Sequence, residues 1–286
     1  MFSGTEDSHE TRKTATTLTR RESTTIPIEA DAISPDHFVG LELAEIERLP
    51  LWYGRRKVPL GELFSVELGD PNDIHIQGDL DHVKRVGQNM SHGRITVHGD
   101  VGMHLGAGMT GGQIVVQGNV GARAGAHMID GSIWIHGDAG PMLGGAYAGE
   151  KLGMKGGVII VDGDAGSRAA ERMRRGIIVV QGNLGDFGGA RMVAGSLFVF
   201  GTMGARPGAG MKRGTLVAFG GLRQGLLPTF TYSCTCESPA FLRYYLRRLR
   251  AWGLSVREEL ITGRYRRHTG DVTTIGKGEV LVPEQN

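Results

Sequence analysis

One block of residues recurs along this chain with fixed phase, and it constrains the fold more than any other feature. Eight short apolar runs each end on a glycine: Ile74 to Gly78, Ile95 to Gly99, Ile114 to Gly118, Ile133 to Gly137, Ile159 to Gly163, Ile178 to Gly182, Leu197 to Gly201 and Leu216 to Gly220. The marker glycines are spaced 21, 19, 19, 26, 19, 19 and 19 residues apart. The period is therefore 19, with a two-residue insertion early and a seven-residue insertion in the middle. Other columns keep the same register. Met90, Met109, Met128, Met154, Met173, Met192 and Met211 each stand nine residues before a marker. Gly93, Gly112, Gly131, Gly157, Gly176, Gly195 and Gly214 stand six before it. Seven of the chain's 11 methionines at one phase cannot arise by chance. Periodicity on this scale signals a repeat architecture.

Elementary stereochemistry turns the period into a fold. Each unit carries one short β-branched strand with alternate residues directed to the same side. Nineteen residues are too few for a strand and a well-formed helix, but suit one turn of a parallel solenoid with glycine at its corners. The expectation is a mainly β protein: a right-handed parallel β-helix of about eight 19-residue coils. Seven intervals make a rod roughly 34 Å long, and the crossovers are expected to be right-handed. The Ile, Val and Met columns become interior ladders, and the flexible thioether fills irregular gaps. Glycine supplies 47 of 286 residues, which excludes a mainly helical protein.

The expected organisation is a disordered tail over 1–23, an N-terminal α/β cap over 24–70, the glycine-rich β-helix over 71–225, and a C-terminal extension over 226–286. Within that extension a helix is expected over 238–252, with Pro239 in its first turn and Gly253 past its end. Leu242, Tyr245, Leu246, Leu249 and Trp252 form its apolar stripe.

Chemistry is sparse. The polar column after the marker (Asp79, Asp100, Asn119, Asp138, Asp164, Asn183) reads as a corner ladder in which Asp and Asn cap turns, in preference to a metal site. The Gly-rich strings recur in nearly every repeat, so they are structural; a phosphate loop would be one special loop opening a helix. His98 and His136 share a column with Gln77, Gln117 and Gln181 and read as an outward polar ladder. Cys234 and Cys236, the only cysteines, cannot supply a four-thiolate cluster and read as buried or idle thiols. Their number excludes a disulfide framework. There is no Ser/His/Asp grouping, Cys/His dyad or dinucleotide fingerprint, so no catalytic, cofactor or metal residue is assigned. The net charge of +2 argues against nucleic-acid binding, and the absence of a signal-like segment or an 18-residue apolar run argues for a cytoplasmic chain off the membrane.

Two features point to interfaces. Three residues before the marker, on the outer face, stand Trp134, Ile160, Val179, Phe198 and Val217. Such a stripe is rarely left wet, so its cover is either the C-terminal segment or a partner subunit. Arg243, Arg247, Arg248 and Arg250 belong to a run with eight arginines against Glu258 and Glu259 between 243 and 267. That run is either a solvated, salt-bridged face or an anion-binding patch.

The 19-residue Gly/Met repeat resembles the glycine-rich domain of glutamate synthase large subunits and of the C subunit of formylmethanofuran dehydrogenase. The flanks single out the latter. Glu29-Ala30-x-x-Ile33-Ser34-Pro35-Asp36-His37-Phe38, Trp52-x-Gly54-x-x-x-Val58-x-Leu60-Gly61-Glu62-Leu63-Phe64, Phe241-Leu242-Arg243-x-Tyr245-Leu246-Arg247 and the segment Tyr265 to Leu281 are all similar to that family. The resemblance implies a non-catalytic scaffold beside sister A, B and D subunits. In the formyltransferase/hydrolase type, which acts on formyl-tetrahydromethanopterin and a methanofuran-type carrier to give formate, those partners carry zinc. In the dehydrogenase type they carry a tungsten or molybdenum pterin and iron–sulfur clusters. Arginine outnumbers lysine 25 to 7, which favours a bacterial source and hence the first type. The resemblance also offers the arginine run an anionic occupant, the glutamate-bearing tail of the carrier. Other readings fit less well: a left-handed acyltransferase helix has a period of 18, and a glutamate-synthase-like module would lack its amidotransferase cysteine.

Overall fold

The chain joins its main sheet earlier than its polar start suggests. The computed structural model describes residues 14–284, and Ala15–Arg20 already forms strand β1. Thr16, Leu18 and Arg20 alternate inward, the period-2 signature of a half-buried strand. This corrects the expected disordered tail over 1–23 for its later residues; residues 1–13 lie outside the described ones. The threonine-rich run reads as polar by composition, yet threonine is a good strand former. The N-terminal cap follows with β2 (Ile28–Glu29), α1 (Pro35–Phe38), α2 (Leu43–Glu47), β3 (Pro50–Tyr53), β4 (Arg56–Pro59), α3 (Leu60–Leu63) and β5 (Phe64–Glu67). Strand β1 lies between β5, antiparallel, and β6 (Asp70–Gln77), parallel, with Leu18 opposite Ile76. A small second sheet runs β4-β3-β2-β7, where β7 is Val83–Lys84.

The repeats then line up. Strands β8 (Arg94–His98), β9 (Gln113–Val116), β10 (Ser132–Ile135), β11 (Val158–Val161), β12 (Ile177–Val180), β13 (Ser196–Val199) and β14 (Arg213–Ala218) continue β6 as successive parallel neighbours. Each pairs with the equivalent residues of the next: Ile114 with Ile133, Ile133 with Ile159, Ile159 with Ile178. A second ladder of single parallel bridges links Leu80, Val101, Val120, Ala139, Ala165, Leu184, Met203 and Leu222. The chain thus returns to its own flank once per repeat, and a one-residue slip would exchange the two faces of the strand.

The methionine column is wholly buried. Its partner is the glycine column one repeat further on. A Cβ on Gly176 would lie 2.7 Å from Met154 Cε, and one on Gly195 2.8 Å from Met173 Cε. Those glycines also have φ near +100°, so two columns far apart in sequence position fix each other.

The polar column is a ladder between repeats. Asn119, Asp138, Asp164, Asn183 and Thr202 each donate a backbone N–H to the Asp or Asn side chain one repeat earlier, at 2.6–2.9 Å. The expected capping of local turns is corrected accordingly, except at Asp79, which accepts from Asp81 at 3.4 Å.

The C-terminal extension comprises β15 (Thr231–Glu237), α4 (Ala240–Ala251), α5 (Glu258–Thr262), β16 (Arg264–Gly270) and β17 (Lys277–Pro283). Strand β17 continues the parallel sheet beside β14, and β16 and β15 follow antiparallel. The helix expected over 238–252 is α4, with Pro239 at its N-cap and Trp252 at its C-cap.

Candidate functional site

The outer stripe lies inside the molecule. Ile160, Val179, Phe198 and Val217 are fully buried against Leu242, Leu246 and Leu249 of α4, together with Leu260, Ile261 and Tyr265. Trp134, at the margin of this layer, is half-buried and donates its indole N–H to Asp162 at 3.1 Å. Of the two covers the sequence allows, the chain's own C-terminal segment is the one present. Ile160, Val179, Phe198 and Val217 are therefore not available to a sister subunit.

The arginines of α4 divide. Arg250 is engaged within the chain, bonding Glu258 at 2.8 Å and the Val256 carbonyl. Arg248 sits 4.9 Å over the Trp252 ring and donates to the Tyr244 hydroxyl at 3.2 Å. Arg243 and Arg247 are exposed. Beside Arg248 an open groove of about 530 Å³ runs between α4 and the glycine column, lined also by Asp130, Arg175, Tyr245 and Trp252. The polar column before the marker forms small clusters: His98 with His75 at 3.1 Å, and Asp162 bonded to Trp134, His136 and Gln181. The Cys234 and Cys236 sulfurs lie 3.4 Å apart, half-buried. Among the described residues no group of three or more His, Cys, Asp or Glu is placed to hold a metal ion.

A different face carries the densest chemistry, and sequence reasoning missed it. Five residues after the marker the backbone turns left-handed at side chains other than glycine: His104, Arg123, Met142, Arg168, Phe187 and Arg206, with φ between 54° and 65°. Nine after it, His127, Arg172 and Arg191 do the same. Such a conformation costs an L-residue on the order of 1 kcal/mol. The compensation is visible in the ladder: His104, Arg123, Met142, Arg168, Arg172, Phe187 and Arg191 each aim the backbone N–H at a carbonyl of the next repeat, as in Arg123 to Pro141, Arg168 to Asp186 and Arg172 to Ala190, at 2.8–3.0 Å. The result is a row of basic and aromatic side chains standing out from one edge.

The seven-residue insertion folds onto this row. Tyr147 hydrogen-bonds His104 Nδ1 through its hydroxyl at 2.9 Å and stacks on His127 with ring centroids 5.1 Å apart. Its backbone N–H donates to His127 Nε2 at 3.2 Å, which makes that nitrogen the unprotonated one. Arg123 lies 5.6 Å over the tyrosine ring, a favourable cation–π placement. Burial, then Arg85 and Arg123, hold His104 below its ordinary pKa; burial first does the same for His127, and raises Tyr147. Next to Tyr147, Glu171 is 4 % exposed. Its Oε1 takes Arg168 at 2.9 Å, with Arg191 at 4.0 Å, while Oε2 has no partner among the described residues.

The chain has relatives among known proteins. The C subunit of the molybdenum-containing formylmethanofuran dehydrogenase 1 of Methanothermobacter marburgensis is 47 % identical over 83 residues, 28 % of this chain and 21 % of that protein. Its counterpart in the tungsten-containing dehydrogenase 2 of the same organism is 41 % identical over 95 residues, 31 % of this chain and 35 % of that one. These matches span about a fifth to a third of the curated relatives' length. A chain in the crystal structure of the formyltransferase/hydrolase complex of Methylorubrum extorquens, solved with methylofuran, superimposes with TM-score 0.86 at 38 % identity, covering 94 % of this chain and 100 % of that one. The chain belongs to the family of formylmethanofuran dehydrogenase C subunits. No protein-family model matches it. As a member of that family it spans the whole length of its structural relative, so cap, repeat sheet and C-terminal layer are shared as one unit.

Proposed function

We propose that the chain is the C subunit of a formyltransferase/hydrolase complex, which moves a formyl group from tetrahydromethanopterin to a methanofuran-type carrier and releases formate. In this reading the repeats wind as a right-handed parallel β-helix over 71–225, between an N-terminal cap over 24–70 and a C-terminal extension over 226–286, and the protein is a cytoplasmic, non-catalytic scaffold. Sister A, B and D subunits supply the chemistry and the zinc. The observation that carries the reading is the full-length likeness to a chain of such a complex, at 38 % identity. The molybdenum- and tungsten-containing relatives favour a second reading, the C subunit of a dehydrogenase, on shorter matched stretches.

Exposed Arg243 and Arg247, with Arg248 beside its groove, remain the proposed contact for an acidic partner or for the glutamate-bearing carrier tail. Arg250 is left out of that contact because Glu258 already holds it. The test is co-purification of the native complex. Zinc without iron–sulfur clusters supports the hydrolase reading; tungsten or molybdenum with clusters supports the dehydrogenase. An isolated chain that turned over a formyl substrate would refute the scaffold role. Charge reversal at Arg247 and Arg248 is expected to weaken assembly or carrier affinity at low salt.

A further inference from the structure

Two imidazoles meet on the outer face of the sheet, at the end away from the strands that α4 covers. His75 stands on β6 and His98 on β8, in parallel register, with His75 opposite Thr96 and Gln77 opposite His98. The two histidines are therefore diagonal neighbours on one face. His98 Nε2 lies 3.1 Å from His75 Nδ1, and the rings are tilted by 51° with centroids 5.0 Å apart. Equivalent positions in the next repeats do not reproduce the pair. His136, in the column of His98, turns its Nδ1 to Asp162 at 2.6 Å, and the column of His75 continues as Thr96, Val115 and Trp134.

The spacing is that of two ligands on one ion. Imidazole nitrogens bound at about 2.0–2.1 Å stand about 2.8–3.0 Å apart on adjacent corners of a square and about 3.3–3.4 Å apart on a tetrahedron. The observed 3.1 Å falls between the two, so either geometry is reached by a small rotation of the rings.

Asp73 favours an ion over a plain hydrogen bond between the rings. Its Oδ1 is buried, has no hydrogen-bond partner among the described residues and lies 3.6 Å from His75 Nε2, beyond hydrogen-bond reach. A proton shared between the rings leaves the tautomer of His75 open. An ion on Nδ1 fixes it, because the remaining proton must then sit on Nε2, facing the orphaned oxygen. That is the carboxylate–imidazole–metal arrangement that orients ligating histidines. Asp73 and His75 share strand β6, so one rigid element carries both the ligand and its support.

We propose that His75 Nδ1 and His98 Nε2 chelate one divalent transition-metal ion, with Asp73 as the positioning residue for His75 and water filling the remaining positions. Two imidazoles suit zinc, nickel or copper, whereas magnesium and calcium take oxygen ligands. The proposal is independent of which complex the chain serves.

The test uses the full-length, untagged chain, stripped of metal with a chelator and titrated with Zn²⁺ by calorimetry; Mg²⁺ is the negative probe. His75→Gln and His98→Gln should each weaken zinc at least tenfold. His136→Gln, in the same column but outside the pair, should bind like wild type. Asp73→Asn should weaken zinc about tenfold, the lower end of what loss of such support costs, without moving the urea midpoint of the zinc-free protein. Each variant is checked for native circular dichroism. A readout on the wild type needs no variant: in an NMR titration one equivalent of Zn²⁺ should shift the His75 and His98 ring signals together, with His75 protonated at Nε2. Zinc that shifts one ring alone, equal zinc affinity in the wild type and both histidine variants, or Mg²⁺ binding as tightly as zinc overturns the chelate. Asp73→Asn binding zinc like wild type overturns the positioning role.

Discussion

Asn119 Oδ1 accepts the backbone N–H of Asp138 at 2.7 Å, one full repeat further along the chain. The same contact recurs from Asp100 to Thr202, so each side chain ties its own repeat to the next. Its removal strands an N–H that stacking keeps from rotating toward another acceptor.

Asn119→Ala should therefore cost about 1 kcal/mol, within the usual range for one such bond. Asp79→Ala, which removes a long local contact instead, should cost well below that. Urea denaturation of the two variants measures the difference. Equal losses would mean the column acts through local turns.

The coupling of methionine to glycine makes a sharper prediction. On Gly176 a Cβ would meet Met154 Cε at 2.7 Å and the Gly157 carbonyl oxygen at 2.9 Å, at φ +104°. The thioether can move aside, but the backbone oxygen and the dihedral cannot. Gly176→Ala should destabilise by about 1–3 kcal/mol, and Met154→Ala by about 2–5 kcal/mol through its cavity. The double variant should recover only the methyl clash, leaving most of the glycine's cost in place. A full recovery in a double-mutant cycle would show that the sulfur side chain alone sets the glycine requirement.

Much of this was legible because stacking makes sequence position and spatial column the same thing. Ile133, Met128 and Gly131 could be placed by counting alone, and the run of arginines on α4 by its helical period. Other parts were hidden for physical reasons. Strand β1 is one rung without the repeat's glycine and methionine, so Leu18 carries no periodic signal although it lies opposite Ile76. The outer stripe from Ile160 to Val217 was visible, but what covers it depends on β17 returning beside β14, a contact between distant segments. The basic face was missed because its residues fall in columns read as loops. Only the left-handed backbone at Arg123, Arg168 and Arg172 shows that those loops are regular and hold their side chains in a row.

Docking of α4 on the sheet is tested at Leu246, which is fully buried among Ile160, Phe198 and its helical neighbours. Leu246→Ala should lose about 2–5 kcal/mol of local stability, and Leu246→Asp should release the helix. The repeat strands have their own core on the opposite side, so amide exchange should accelerate across 240–262 while Ile133 and Ile159 stay protected. Loss of protection throughout would mean that the outer layer is required for the sheet itself.

Acid should weaken the fold in the window set by its histidines. His98, His104, His127 and His268 are each held below the ordinary value near 6.5, burial being the main cause. When the folded pKa is depressed, the unfolded chain binds more protons over the interval between the two values. Stability contributed by keeping these rings neutral is present above pH 6.5 and is lost as pH falls through the folded values. At His104 the neighbouring charges are Arg85, Arg123 and Lys84, opposed by Glu29, and Tyr147 closes the ring over with its hydroxyl. His104→Asn removes the titrating group and keeps a residue that tolerates the left-handed backbone. The wild type should lose stability as pH falls below about 6.5, the ordinary histidine value, measured as a falling urea midpoint, and the variant should lose less. An NMR titration should place the His104 midpoint below 6.5; a midpoint above it, or identical pH slopes in the two proteins, would contradict the burial account.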